Sequence, residues 1–245
     1  MKRNLLLISN STNYGEPYLG WPREAIKNYC NDKGVKKVLF IPYAGVSLNT
    51  ESLEKSYDAY ETRVAEVYSE LGLEIYSIHK EKDPVEAVNN AEAIAVGGGN
   101  TFHLVHMMHK LGIMKPIRES ILRGIPYMGW SAGSNVACPS LKTTNDMPII
   151  EPASFDCLNV IPFQINPHYL DVNPEGHGGE TREQRIAEFL LVNKDMYVAG
   201  LREACYLLVE DDNIKMVGDR NLRLFKYGQE TKEIPANEDI NFLMK

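Results

Sequence analysis

The stretch Ile125-Pro126-Tyr127-Met128-Gly129-Trp130-Ser131-Ala132-Gly133 decides how this chain is read. Ile125–Met128 is a short apolar run that follows Gly124 and runs into Gly129, which predicts a buried strand. The next five residues fit G-x-S-x-G, and Ser134–Ala137 is compatible with a helix. A strand, this pattern and a helix together specify a tight turn that exposes the Ser131 hydroxyl above a sheet edge, with the Ala132 N–H aimed at the same spot.

Working outward, the same grammar repeats. Apolar runs at Leu5–Ile8, Val38–Ile41, Leu73–Ile78 and Ala93–Val96 predict strands. Helical patterns at Arg23–Tyr29, Glu51–Leu71, Pro84–Val88, Thr101–Lys110 and Met114–Arg123 fall between or after them. Runs that are apolar throughout, rather than alternating, suit strands covered on both faces, hence a mostly parallel sheet with helices on either side. Toward the C-terminus, Tyr197–Leu201, Tyr206–Glu210, Ile214–Val217 and Leu222–Tyr227 are strand-like with short connections, which predicts an antiparallel extension at one sheet edge. No internal repeat or Pro/Gly/Ser-rich linker divides residues 1–245, so one α/β domain is expected.

Composition narrows the function classes. Of 245 residues, 44% are hydrophobic and 24% charged, the balance of a folded globular chain. Lys and Arg number 26 against 33 Asp and Glu, a net charge of −7 with no basic run, which disfavours a nucleic-acid partner. No apolar stretch approaches the roughly 18 residues of a membrane span. Lys2-Arg3 before Leu5–Ile8 imitates a signal peptide, but the apolar run is too short for one. Cys30, Cys138, Cys157 and Cys205 are scattered without a CxxC pair, which suggests reduced thiols in the cytoplasm.

A nucleophilic serine needs partners, and several segments offer them. Val96-Gly97-Gly98-Gly99-Asn100-Thr101 places three glycines between a strand and a helix. It lacks the Lys-Ser/Thr of a P-loop and is not GxGxxG, so an oxyanion hole is the better reading of its N–H-lined pocket. Among the histidines, His168 follows Asn166-Pro167 just after the apolar run Val160–Phe163, which could end at the functional edge of the sheet; it is taken as the general base. His103, His106 and His109 share one helix face without a carboxylate cluster and suggest a solvated or partly packed face. His79 suggests the surface, and His177 a mobile lid in Glu175–Gly179. Asp146 in a polar loop and Glu203 just past a strand are both candidates to fix the tautomer of the base. Thr181-Arg182-Glu183-Gln184 fits a capping box and places Arg182 in the first helical turn, where the macrodipole disfavours a cation. Either it pairs with Glu175, Glu180 or Glu183, or it meets an acidic substrate group.

Together these segments resemble peptidase E, the alpha-aspartyl dipeptidase family. The resemblance rests on Ser9–Thr12, Ile41–Val46, Gly97–Phe102, Gly129–Gly133, Thr143–Pro148, Gln164–His168 and Gly176–Ile186, and so covers most of the chain. It implies a three-layer, flavodoxin-like fold of the class I glutamine amidotransferase type, with serine in place of the usual cysteine. It implies Ser131 as nucleophile, His168 as base, Asp146 or Glu203 as the third triad member, Gly99 and Ala132 as oxyanion-hole donors, and Arg182 as the partner of a substrate aspartate. The substrate would be a small acidic peptide, with no metal or organic cofactor, and the enzyme a monomer or homodimer. The loop Asn13–Pro22 is longer and more aromatic than the family leads one to expect, with Tyr14, Tyr18 and Trp21. Rival readings are a cyanophycinase-like peptidase on aspartyl polymers, an α/β-hydrolase esterase, for which the spacing from Ser131 to His168 leaves little room, and a non-catalytic binder of an acidic metabolite.

Overall fold

Five apolar strands form the parallel part of the main sheet: β1 (Asn4–Ile8), β2 (Lys37–Ile41), β3 (Glu74–Ser77), β4 (Ile94–Val96) and β5 (Tyr127–Trp130). They belong to a computed structural model that describes residues 2–173, 175–176 and 178–245. The strands alternate with α1 (Arg23–Asp32), α2 (Leu53–Glu70), α3 (Pro84–Asn89), α4 (Thr101–Lys110) and α5 (Met114–Leu122), and β5 leads into the short α6 (Ala132–Asn135). Next come β6 (Gln164–Pro167), α7 (Arg182–Val192), β7 (Tyr197–Leu201), β8 (Tyr206–Glu210), β9 (Asn213–Val217), β10 (Leu222–Lys226) and β11 (Lys232–Ile234).

The main sheet has seven strands in the order β3-β2-β4-β5-β1-β8-β9. Side-chain alternation explains why its central strands are almost wholly apolar. Leu5, Leu7, Leu39 and Ile41 point into one core with Val88, Leu104, Val105, Ile117 and Ile121 of α3–α5. Leu6, Ile8, Val38 and Phe40 point into the other with Ile26, Tyr29, Val64 and Tyr68 of α1 and α2. The result is a layered α/β arrangement of helices, sheet and helices.

The C-terminal strands depart from the expectation of one antiparallel extension. Among the described residues only β8 and β9 extend the main sheet, β8 antiparallel to β1 and β9 antiparallel to β8. The others form a second, four-stranded sheet in the order β11-β10-β7-β6. The chain changes sheets between β7 and β8, where Ala204 takes φ 60°. Ser9, just past β1, ties the two sheets together: its N–H donates to Cys205 O (3.0 Å) and its hydroxyl to Leu201 O (2.8 Å).

The apolar run Val160–Phe163 is not itself a strand; pairing begins at Gln164, where β6 runs parallel to β7. Pro162 has no N–H to offer a ladder, and the Val160 N–H is spent on Ala137 O. His168 therefore sits just past a strand end, but of the second sheet.

The turn between β5 and α6 depends on close backbone approach. An added Cβ at Gly133 would lie 2.1 Å from Val96 O, and one at Gly129 would lie 2.3 Å from Gly133 O. We expect Gly133→Ala to destabilise the protein by about 2–3 kcal/mol in urea unfolding, because β4 backbone must give way. Gly34→Ala, at a left-handed position with no atom within 4 Å, should cost only about 1 kcal/mol. Equal costs for the two would remove the packing argument.

Candidate active site

The carboxyl ends of β1, β4 and β5 meet at one edge, and the catalytic candidates follow from them. The register pairs Ile8 with Trp130 and Val96 with Gly129, so Ser9, Gly97 and Ser131 emerge side by side. Ser131 has φ 54° and ψ −110°, the strained conformation that the elbow motif requires. Its N–H donates to Ile8 O at 3.0 Å, continuing the ladder by one residue while the side chain turns outward. Ser134 Oγ lies 2.7 Å from Ile8 O and 2.8 Å from Gly129 O, and the Tyr127 hydroxyl donates to Gly133 O at 2.6 Å. These bonds hold the turn from beneath.

Ser131 Oγ lies 3.2 Å from His168 Nε2, within the reach of a nucleophile–base pair. His168 also has positive φ, 40°. Its N–H donates to Ser9 Oγ at 2.8 Å, and the next N–H, of Tyr169, donates to Leu201 O at 3.0 Å. Ser9 is fully buried, with its hydroxyl engaged as donor and as acceptor. Burial, foremost, and then the Arg182 charge lower the pKa of His168 below its ordinary 6.5, while the Asp146 charge pulls the other way. The imidazole is thus neutral near pH 7, as a general base must be.

Gly99 supports the predicted oxyanion hole. Its φ is 131°, and an added Cβ would lie 2.2 Å from Ala44 O, so only glycine fits. Among the described residues, neither its N–H nor that of Ala132 donates a hydrogen bond. An added Cβ at the neighbouring Gly98 would lie 3.0 Å from Ser131 Cβ, which places the glycine turn against the candidate nucleophile.

The two candidate acids occupy different settings. Asp146 Oδ2 accepts from Thr101 N–H (2.7 Å), Thr101 Oγ1 (2.6 Å) and Thr144 Oγ1 (3.0 Å), which docks it at the start of α4. Glu203 is half-buried beside Arg202, whose guanidinium is locked by Asp171 and Glu233. Neither carboxylate hydrogen-bonds to His168 among the described residues, but the Asp146 charge acts on the imidazole.

Thr181 and Gln184 do form the capping box of α7. Arg182 makes no pair with the acids beside it in sequence: Glu180 faces Arg185 (3.7 Å) and Glu183 faces Arg223 (2.8 Å). Arg182 Nη1 is buried without a hydrogen-bond partner among the described residues. Burial, foremost, and then the Arg185 charge lower the pKa of the guanidinium, yet it stays charged.

The remaining histidines serve packing. The His103 ring is buried, with Nδ1 2.7 Å from Tyr43 O, while His106 and His109 meet the Glu151 and Asp156 carbonyls. His79, expected at the surface, is instead packed between Ser77 and Asp58. His177 lies outside the described residues. Asp58, Glu61 and His79 come together far from this edge in sequence, with the Lys80 ammonium between the two carboxylates.

A cavity of about 520 Å³ opens in front of Ser131, His168 and Gly99, a size suited to a small ligand. Its far wall is aromatic: the Tyr18 hydroxyl donates to Tyr60 Oη (3.3 Å), as does Trp130 Nε1 (3.1 Å), and the Tyr60 hydroxyl donates to Gly98 O (2.9 Å). Tyr18 belongs to the loop Asn13–Pro22, whose Trp21 stacks on Tyr206 and whose Tyr14 is fully exposed.

The sequence model described as Peptidase family S51 matches residues 5–217. The chain belongs to peptidase family S51. It is 48% identical over its whole length to a protein named Peptidase E from Nostoc, covering 98% of that protein. It is 44% identical to a Peptidase E from Shewanella oneidensis, with complete coverage of both. In fold, this S51 chain superposes on a peptidase from an acI-B1 Actinobacterium with a TM-score of 0.65 at 21% identity, covering 98% of this chain and 97% of that one. A solved structure from Listeria monocytogenes EGD-e gives a TM-score of 0.58 at 22% identity, covering 89% and 100%.

Sequence reasoning assigned no role to Ser9, Tyr18 or Tyr60. The signal for Ser9 was a polar residue directly after the apolar β1; Tyr60 carried none, since an aromatic on a helix reads as core.

Two outcomes follow for this S51 chain. Asp146→Asn should move the acid limb of labelling by a serine-directed fluorophosphonate to lower pH, and Arg182→Gln should move it to higher pH; shifts of the same sign in both would refute the electrostatic assignment. Ser9→Ala should lower kcat about tenfold or more with a smaller change in KM, because it releases the His168 backbone without touching the cavity.

Proposed function

We propose that the chain is a serine peptidase that hydrolyses short peptides with N-terminal aspartate. The observation that carries this reading is the Ser131–His168 pair at 3.2 Å on a strained elbow. His168 Nε2 takes the Ser131 proton as Oγ attacks the scissile carbonyl. The tetrahedral oxyanion is met by the Gly99 and Ala132 N–H groups, each worth about 2.7–4 kcal/mol of barrier. The imidazolium then protonates the leaving amine, and water, deprotonated by the same imidazole, hydrolyses the acyl-enzyme. Asp146 is the better third member, because its charge stabilises the imidazolium formed in the first step.

Arg182 supplies the specificity in this reading. A partly buried guanidinium with an unpartnered Nη1 suits the aspartyl side-chain carboxylate, which can accept from it in a fork. A neutral isostere would leave that charge unpaired and be rejected. The strand order β3-β2-β4-β5-β1 is read as a variant of the flavodoxin-like arrangement, and four buried, unpaired cysteines support a cytoplasmic setting.

The test is a panel of Asp-Leu, Glu-Leu and Asn-Leu with wild type and Ser131→Ala. Asp-Leu should be cleaved at least about a hundredfold faster than Asn-Leu, and Ser131→Ala should be inactive. Equal turnover of Asn-Leu would remove the charge recognition; activity in Ser131→Ala would remove the mechanism. Action on an aspartyl polymer with none on Asp-Leu would favour the polymer reading instead.

A further inference from the structure

The cavity in front of Ser131 carries an unbalanced charge. Among the described residues no Asp or Glu lines it, and Arg63 on α2 is its one Lys or Arg. Arg182 is not among its lining residues, so the two arginines address the catalytic pair from different places. Arg63 lies over the Tyr18 ring, 4.1 Å from the centroid, and makes no ion pair or side-chain hydrogen bond among the described residues. Its guanidinium is exposed, with its N–H donors unspent. The wall that holds it is continuous with the nucleophile: Arg63 stacks on Tyr18, Tyr18 bonds Tyr60, Tyr60 bonds Gly98, and Gly98 packs on Ser131.

Resting on the dipeptidase reading above, we propose that Arg63 binds the free C-terminal carboxylate of the substrate, on the leaving-group side of the scissile bond, and thereby selects dipeptides. An Asp-Xaa dipeptide carries two carboxylates and one ammonium. The side-chain carboxylate and the ammonium both lie on the acyl side, so a cation facing that end beyond Arg182 would meet the ammonium and repel it. On the leaving side the only charge is the terminal carboxylate, and it lies one residue from the scissile bond. A longer peptide replaces it with a neutral amide at that position. The stacked, planar guanidinium is already oriented by Tyr18, so little ordering remains to be done on binding. Tyr18 comes from the loop Asn13–Pro22, which gives that aromatic insertion a purpose.

The experiment compares Asp-Leu, Asp-Leu-amide and Asn-Leu with wild type, Arg63→Gln and Arg63→Lys. In wild type, amidation should lower kcat/KM on the order of tenfold, chiefly through KM, the size of one exposed charge-assisted hydrogen bond. Arg63→Gln should bring the acid-to-amide ratio close to one while the preference for Asp-Leu over Asn-Leu persists, and Arg63→Lys should restore part of the ratio. Equal cleavage of acid and amide by wild type, or an unchanged ratio in Arg63→Gln, overturns the proposal and leaves the dipeptidase reading standing. Loss of the Asp-over-Asn preference in Arg63→Gln overturns it by assigning Arg63 to the side-chain carboxylate. If wild type cleaves none of the three yet reacts with a fluorophosphonate at Ser131, the aspartyl reading falls and the proposal falls with it.

Discussion

The backbone of Ser131 sits at φ 54° and ψ −110°, a conformation that costs of order 1–3 kcal/mol and persists only when its surroundings insist on it. Here they insist from several directions. Ile8 O accepts the Ser131 N–H, Ser131 O accepts the Ser134 and Asn135 N–H groups, and the Tyr127 hydroxyl fixes Gly133 O. The missing side chains at Gly129 and Gly133 let α6 lie directly against β5 and β4. Relax this turn, and the hydroxyl falls back toward the strand direction, the Ala132 N–H loses its aim, and neither His168 nor the glycine turn has a target.

The candidate base, His168, depends on a different junction. His168 comes from the second sheet and Ser131 from the first, so their separation is set by how the sheets meet. Leu201 O accepts both the Ser9 hydroxyl and the Tyr169 N–H, and Ser9 Oγ accepts the His168 N–H. One buried hydroxyl thus links the end of β1, the end of β7 and the backbone of the base. A serine is well suited to this place because a single oxygen can donate to one partner and accept from another within a volume that excludes water.

What was legible in the sequence follows from what is local. Strands β1, β2, β4 and β5 were visible because both faces are buried and each run is almost wholly apolar, whereas β3, an edge strand with Glu74 and Ser77, was read from Leu73, Ile75 and Ile78; the elbow was visible because it fits G-x-S-x-G after a strand, although Gly133 is demanded by Val96 O from a distant part of the chain. The division of β6, β7, β10 and β11 into a second sheet was not visible: β7 and β8 read alike as short apolar strands, and nothing in them says which sheet each joins. The Ala204 turn that separates them has no sequence signature, since alanine rarely takes φ 60°. Ser131, His168 and Gly99 could be singled out by residue type and flanking pattern. Ser9 and Tyr60, and Arg63 in the role proposed for it, could not, because what they do depends on contacts across the fold. Asp146 and Glu203 were indistinguishable as residues; their difference is a matter of which loop brings charge toward the imidazole.

The charges around His168 have a consequence for how a carboxylate ligand would act. The imidazole is held neutral first by burial and then by the Arg182 charge, against the opposing pull of Asp146. Neutrality suits a base before reaction, but the same Arg182 charge would oppose an imidazolium formed during the proposed reaction. Under the aspartyl reading, a carboxylate seated on Arg182 would cancel that opposition and leave the Asp146 attraction in place, so His168 would become more basic when that group is bound. A neutral analogue occupying the same space would leave the cation uncompensated, and the imidazolium would form against it. Under the aspartyl reading, discrimination therefore enters twice: once in pairing the partly buried guanidinium, and again in the proton transfer that the pairing eases. The second effect is expressed only as charge develops on the imidazole, so it favours the transition state over the bound substrate.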